Sequence, residues 1–178
     1  SHIFDLDKIN DHLVVRWGRA NESLELLNGQ TVQVDDRVGV IADATPVESL
    51  AGIMGGQATA TSDTTRNVYV EAAFWYPEAV AGRSRRFNFS TDAGHRFERG
   101  VDPATTTQHV EHITRLILEC CGGQAGPVDD QQPAALGPEA LRREIGYCQR
   151  PVEPRAEPVR QLGDVVGLEV DEQPILSL

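Results

Sequence analysis

The chain has 178 residues, 40% of them hydrophobic and 24% charged, with a formal net charge of −11. This is the balance of a soluble globular protein and excludes disordered and collagen-like chains; the length suits one full core, or a domain with part of a second. The acidic excess argues against a broad nucleic-acid-binding face, which rests on Lys and Arg neutralising phosphates.

No apolar run reaches the roughly 18 to 20 residues of a membrane span, and the opening SHIFDLDKIN lacks the basic region and apolar core of a signal peptide. Along the first 75 residues, Leu13–Arg16, Leu24–Leu27, Thr31–Val34, Val38–Ala42 and Asn67–Ala72 read as short strands, rich in β-branched and aliphatic side chains. Asn28-Gly29, between the second and third of these, signals a hairpin with a two-residue turn of positive φ.

From Pro77 the sequence PEAVAGRSRRF predicts a helix opened by proline, whose missing N–H is harmless in a first turn. A second helix starts at Asp102-Pro103 and stops at Gly122-Gly123. Its apolar face is read from Val110, Ile113, Leu116, Ile117 and Cys120, at spacings of three and four. The fold class expected is α+β, strand-rich in its first half, with a helix near 103–121. Residues 129–160, rich in Pro, Gln, Glu and Arg, read as a linker or loosely ordered segment. Residues 161–178 recover some apolar character but are too short to fold alone.

Of three cysteines, Cys120 and Cys121 are adjacent and Cys148 is distant, so neither a zinc spacing nor an even disulfide framework is present. A reducing cytoplasm with buried structural thiols is the expectation. His12, His109 and His112 lack a ligand pair at metal spacing, and no metal is assigned. Neither a G-x-S-x-G nor a cysteine with an obvious histidine partner supports a nucleophile.

Three stretches are left that could carry chemistry. Ala51–Gln57 (AGIMGGQ) lacks the residues of a P-loop or dinucleotide fingerprint. It is either a tight turn, or a wall where Gly55 and Gly56 let the backbone approach a ligand. Glu71 interrupts the apolar VYVEAAFWY; strand alternation puts Val68 and Val70 on one face and Tyr69 and Glu71 on the other. The second face points either to solvent or to a pocket, where the carboxylate would suit a phenolic hydroxyl. HRFERGVDP reads as a salt-linked loop whose Arg96, Glu98, Arg99 and Asp102 pair among themselves, with Gly100 as a break and Asp102 as a cap. Arg83, Arg85, Arg86, His95, Arg96 and Arg99 fall within 17 residues, a locally basic segment able to meet a nucleic-acid end.

Four stretches, HIFDLDKI (His2–Ile9), LAGIMGG (Leu50–Gly56), NVYVEAAFW (Asn67–Trp75) and TDAGHRFERGVDP (Thr91–Pro103), together resemble one family in order and spacing. They are similar to the editing module of the beta subunit of bacterial phenylalanyl-tRNA synthetase, formed by its third and fourth domains. The resemblance runs from His2 to about Val128, so residues 1–128 are taken as that module without its preceding segment. Residues 161–178 then stand as a remnant of the following domain.

The resemblance implies post-transfer editing, hydrolysis of tyrosine misacylated onto the tRNA for phenylalanine. It implies that Glu71 reads the tyrosine hydroxyl, that Gly55, Gly56, Thr91 and Ala93 line the amino-acid pocket, and that His2 lies by the scissile ester and orients water or the terminal ribose. It also implies the acceptor end of that tRNA, the alpha subunit and the rest of the beta subunit as partners. No cofactor is expected in the module, ATP and magnesium belonging to the complete synthetase. A non-catalytic module positioning tRNA or bracing the synthetase, and a free-standing trans-editing domain, are the alternative readings.

Overall fold

The computed structural model describes residues 1–44 and 46–129, and residues 164–169 as backbone. Of the expected linker at 129–160, Asp129 ends a strand and the remaining residues lie outside the described ones, as does Cys148. The elements are β1 (His2–Asp5), β2 (Val14–Trp17), β3 (Glu22–Glu25), β4 (Thr31–Val34), β5 (Gly39–Ala42), β6 (Val47–Leu50), β7 (Met54–Gly55) and β8 (Asn67–Ala72). Then follow helices α1 (Pro77–Val80), α2 (Arg83–Arg86), α3 (Asp92–Arg99) and α4 (Thr106–Cys121), and strands β9 (Gln124–Asp129) and β10 (Asp164–Glu169). The architecture is α+β, as expected.

The strands form three antiparallel sheets, ordered β1-β8-β10-β9, β2-β5-β6-β7 and β3-β4. Strand β10 thus comes from the carboxy-terminal stretch and hydrogen-bonds between β8 and β9.

Strand β8 is buried on both faces, and its period of two divides the core. Tyr69 joins Phe4, Leu24, Leu26, Val40, Leu50, Ile53, Trp75 and Phe97 in the larger cluster. Val68, Val70 and Ala72 pack with Ile3 against Val110, Ile113 and Ile117 of α4. Alternation therefore holds, and the Tyr69–Glu71 face meets the β-rich body where solvent was the other possibility: Glu71 is only 5% exposed.

Several elements differ in detail from the sequence reading. In the β3–β4 hairpin the Gly29 N–H donates to Leu26 O (2.8 Å), and Gly29 alone takes positive φ, +80°, while Leu26 N–H bonds Gln30 O (2.8 Å). The loop is thus three residues, Leu27–Gly29, ending in a left-handed glycine, which is the next commonest way of joining such strands. The PEAVAGRSRRF helix is two short helices, because Gly82 sits at φ +75° between them.

HRFER is helical where a loop was expected. Thr91 is the N-cap of α3: its hydroxyl accepts from Gly94 N–H (2.9 Å) and donates to Ile53 O (2.9 Å), tying the helix to the glycine-rich loop. The charged residues pair differently from expectation. Arg96 bonds Asp92, Arg99 bonds the His95 ring, Glu98 accepts from Gly82 N–H, and Asp102 caps a 3₁₀ turn at Ala104 N–H. On α4 the packed residues are Val110, Ile113, Thr114, Ile117, Leu118 and Cys121. Leu116, 45% exposed, and Cys120 face outward, so the buried-thiol expectation fails at Cys120.

A cap of this kind is worth about 0.5–2 kcal/mol. Thr91→Ala should lower the urea-unfolding free energy by about 1 kcal/mol or more, and Thr91→Ser should recover most of it. Equal midpoints for Thr91→Ala and the parent would contradict the structural role.

Candidate functional site

The β1–β8 register makes His2 the Cα partner of Glu71 and Phe4 the partner of Tyr69. Directly opposed residues of an antiparallel pair share a face, so these four side chains point together toward the body. Two anchors hold β1 in this register. Asp5 N–H donates to Thr59 O (2.9 Å), and the buried Asp5 carboxylate accepts from Thr65 Oγ1 (2.7 Å) and pairs with Lys8 (3.2 Å). On the inner face the His2 and Phe4 rings meet edge to face at 4.4 Å, and Phe4 and Tyr69 at 6.1 Å.

Where β1 and β8 approach the glycine-rich loop and α3, a cavity of about 200 Å³ opens. His2, Gly55, Glu71 and Ala93 line it, with Ser49, Ile53, Met54 and Phe97 completing much of the wall. Four of the six residues singled out from sequence thus come together from segments far apart in the chain. Gly56 and Thr91 are not among the lining residues. A Cβ on Gly56 would lie 2.6 Å from Leu24 Cδ1 and 2.7 Å from the Glu48 carbonyl oxygen, so its bareness lets β3 and β6 pass close. Thr91 acts through its cap and its bond to Ile53 O.

Gly55 has a more specific neighbour. An added Cβ would fall 2.5 Å from His2 Nε2, inside the space the imidazole occupies. The glycine is therefore first a seat for the ring. Sequence reasoning missed the apolar wall: Phe97 is the lone large apolar residue of a charged octapeptide, and only the helical turn beginning at Thr91 shows that it points inward.

The electrostatics follow from burial. Removal from water lowers the His2 pKa from 6.5 to about 4. Burial pushes Glu71 up from 4.5 to about 7. Glu71 Oε2 is fully buried with no hydrogen-bond partner in the described protein. An unpaired buried acceptor is costly, and it faces a cavity. The site therefore offers a neutral imidazole across the strand from a carboxyl group open to a donor.

A family model described as the B3/4 domain matches residues 1–122. The chain belongs to the B3/4 domain family. It is 67% identical over 150 residues (84% of the chain) to the phenylalanine–tRNA ligase beta subunit of Ralstonia nicotianae. It is 53% identical over 179 residues, 100% of the chain, to that of Burkholderia pseudomallei, and 56% over 177 residues, 97% of the chain, to that of Bordetella pertussis. The chain spans 18%, 20% and 22% of these three proteins, about a fifth of their length. The four motifs read from the sequence fall in the part matched by the B3/4 family, and so do all the cavity residues.

Two measurements probe this pair. Gly55→Ala should push the ring out of its seat, and the His2 imidazole, followed by NMR titration, should move from about 4 back toward 6.5; an unmoved titration would refute the seating. The pH dependence of stability follows by linkage. With His2 lowered, the unfolded state binds the extra proton between about 4 and 6.5, so this group's contribution is present above 6.5 and lost as pH falls. With Glu71 raised, the folded state holds the extra proton between 4.5 and about 7, so its contribution is present below 4.5 and lost as pH rises. The slopes oppose between 4.5 and 6.5. Glu71→Gln should therefore unmask rising stability from pH 4 to 6.5, and His2→Ala falling stability from 4.5 to 7, both read from urea midpoints relative to the parent.

Proposed function

We propose that this cavity hydrolyses the ester joining tyrosine to the 3′ end of the tRNA for phenylalanine. The observation that carries the reading is Glu71: a buried carboxyl with an unpartnered oxygen, lining a cavity of about 200 Å³ whose other walls are apolar or small. Such a pocket takes a flat apolar ring and asks for a hydrogen-bond donor at its end. Tyrosine supplies both and phenylalanine only the first.

The discrimination rests on an asymmetry. An apolar pocket rejects an added hydroxyl by only about 100-fold, whereas a pocket built around a polar group rejects the analogue that leaves it unpaired far more strongly. Phenolic O–H donation to Glu71 also favours the ionised carboxylate, so tyrosine binding near neutral pH releases part of a proton. Ala93 is small enough to leave the ring its space, and Gly55 holds His2 beside it.

In the hydrolysis, water adds to the ester carbonyl carbon. The bond from that carbon to the ribose oxygen then breaks, and tyrosine leaves as a carboxylate with the ribose hydroxyl restored. His2, uncharged at neutral pH because it is buried, presents a ring nitrogen able to accept a hydrogen bond from that water or from a ribose hydroxyl. Placement of the water by His2, backbone groups and the RNA's own hydroxyls supplies the catalysis. The module acts within a cytoplasmic phenylalanine–tRNA ligase, beside the rest of its beta subunit and the alpha subunit. The ATP and magnesium of amino-acid activation are used elsewhere in that enzyme.

Losing a hydrogen bond to a charged group costs about 1.5–3 kcal/mol. Glu71→Ala should therefore lower kcat/KM on tyrosyl-tRNA by roughly 10- to 150-fold, and Glu71→Gln, which keeps a neutral acceptor, by less, both measured as release of labelled tyrosine. Hydrolysis of phenylalanyl-tRNA should stay low in the parent. An equal rate on both charged tRNAs in the parent would sink the hydroxyl sensor.

A further inference from the structure

A second, larger cavity of about 730 Å³ adjoins the first, sharing Ala93 and Phe97 with it. It opens between the carboxy-terminal half of α3 and the first half of α4, where β8 ends. Its side chains are of two kinds. Ala72, Phe97, Val101 and Ile113 make an apolar floor, and Arg96, Arg99, His109 and His112 make a basic rim. None of the described lining residues is Asp or Glu, in a chain where 27 acidic residues outnumber 16 Lys and Arg. The charge of this rim is opposite to that of the molecule.

The two arginines are only lightly committed. Arg96 pairs with Asp92 at 3.1 Å, but the two side chains are 72% and 85% exposed, and such surface pairs yield readily to a better partner. Arg99 bonds the His95 ring nitrogen (2.7 Å) and the His95 carbonyl (3.0 Å), and among the described residues no carboxylate pairs with it. An anion is what the rim lacks. The floor fits a ribose or a base, and the volume lies in the range of sites for small-molecule and cofactor ligands. Alone, the first cavity is sized for an amino-acid side chain, and no Lys or Arg side chain among the described residues lines it.

We propose that the second cavity seats the terminal nucleoside of the RNA, with Arg96 and Arg99 gripping its 5′-phosphate while the esterified amino acid enters the first cavity. The proposal rests on the hydrolytic reading of that first cavity. It also resolves a conflict in the sequence: a strongly acidic protein holds an RNA end through one short basic seam, and repels the rest of the phosphate backbone. Guanidinium forks suit this task, because they meet phosphate oxygens through two parallel N–H bonds.

The test compares 3′-O-tyrosyl adenosine with and without a 5′-phosphate, on the intact protein and its Arg96→Gln/Arg99→Gln variant. Each charge-assisted contact is worth about tenfold, so the parent should show a KM lower by about 100-fold for the phosphorylated ester. That ratio should collapse toward one in the variant, and in the parent it should shrink as salt is raised. A parent ratio near one, or a ratio the variant leaves unchanged, overturns the proposal. Binding of adenosine 5′-monophosphate against adenosine, by calorimetry, separates the two readings. Arginine-dependent preference for the phosphorylated form without hydrolysis of either ester keeps the subsite and removes the hydrolytic reading. Hydrolysis of both esters with no such preference does the reverse.

Discussion

The pairing of β1 with β8 is the constraint on which the rest depends. Because a strand alternates its faces, a one-residue slip of β1 would send His2 and Phe4 toward α4, and a one-residue slip of β8 would send Glu71 there and turn its valines into the cavity. The register is fixed by what both faces bury. Val68, Val70 and Ala72 need the apolar stripe of α4, and Phe4 and Tyr69 need the main core. Asp5 adds a directional lock through Thr59 and Thr65. A site built on such a pair inherits its precision from the core, since neither side chain moves without breaking a packed layer.

The glycine-rich loop completes the site by three close approaches, each with its own physical cause. Gly56 makes room for strands, with Leu24 and the Glu48 carbonyl against it; Gly55 makes room for a functional ring; and Ile53 offers its carbonyl to Thr91. Helix α3 is thereby bolted to the loop, and with it Ala93 and Phe97 on one side and Arg96 and Arg99 on the other. One cap thus aligns the two cavities. That is why Thr91 belongs with the site although it is absent from the first cavity's lining.

What was legible in the sequence follows from what each element buries. Asn67–Ala72 reads plainly as a strand because both faces are buried and its side chains form a nearly continuous apolar run, and α4 shows its period because it is long. On α4 three of the five residues read as its apolar face, Val110, Ile113 and Ile117, are packed; Leu116 and Cys120 face outward, since they are as apolar as the packed Leu118 and Cys121 and periodicity alone cannot choose between adjacent stripes. Helix α3 buries only Gly94 and Phe97, too little for a period to emerge from its charges. Strand β7 spans only two residues, β1 (HIFD) and β6 (VESL) mix charged and apolar side chains without a β-branched run, and β10 arrives from a stretch too short to hold a core alone. The convergence of residues 2, 55, 71 and 93 is a tertiary fact with no local pattern. It came from the resemblance of four ordered motifs.

The two cavities divide the electrostatic work in a way a single pocket could not. In the first, burial drives both ionisable groups toward neutrality, His2 downward and Glu71 upward, so a ring enters a site with little fixed charge to desolvate. The cost is a carboxyl oxygen left without a partner, a loss of stability the surrounding layers must absorb. That cost is useful, because it is relieved by a ligand that brings a donor and not by one that lacks it. Charge is kept for the second cavity, at the rim, where solvent lowers the cost of holding it. On the proposed reading a phosphate supplies its match, and recognition of the common part of a substrate is separated from recognition of the part that distinguishes it. Affinity would then rest on the phosphate and ribose, and selection on one buried hydrogen bond.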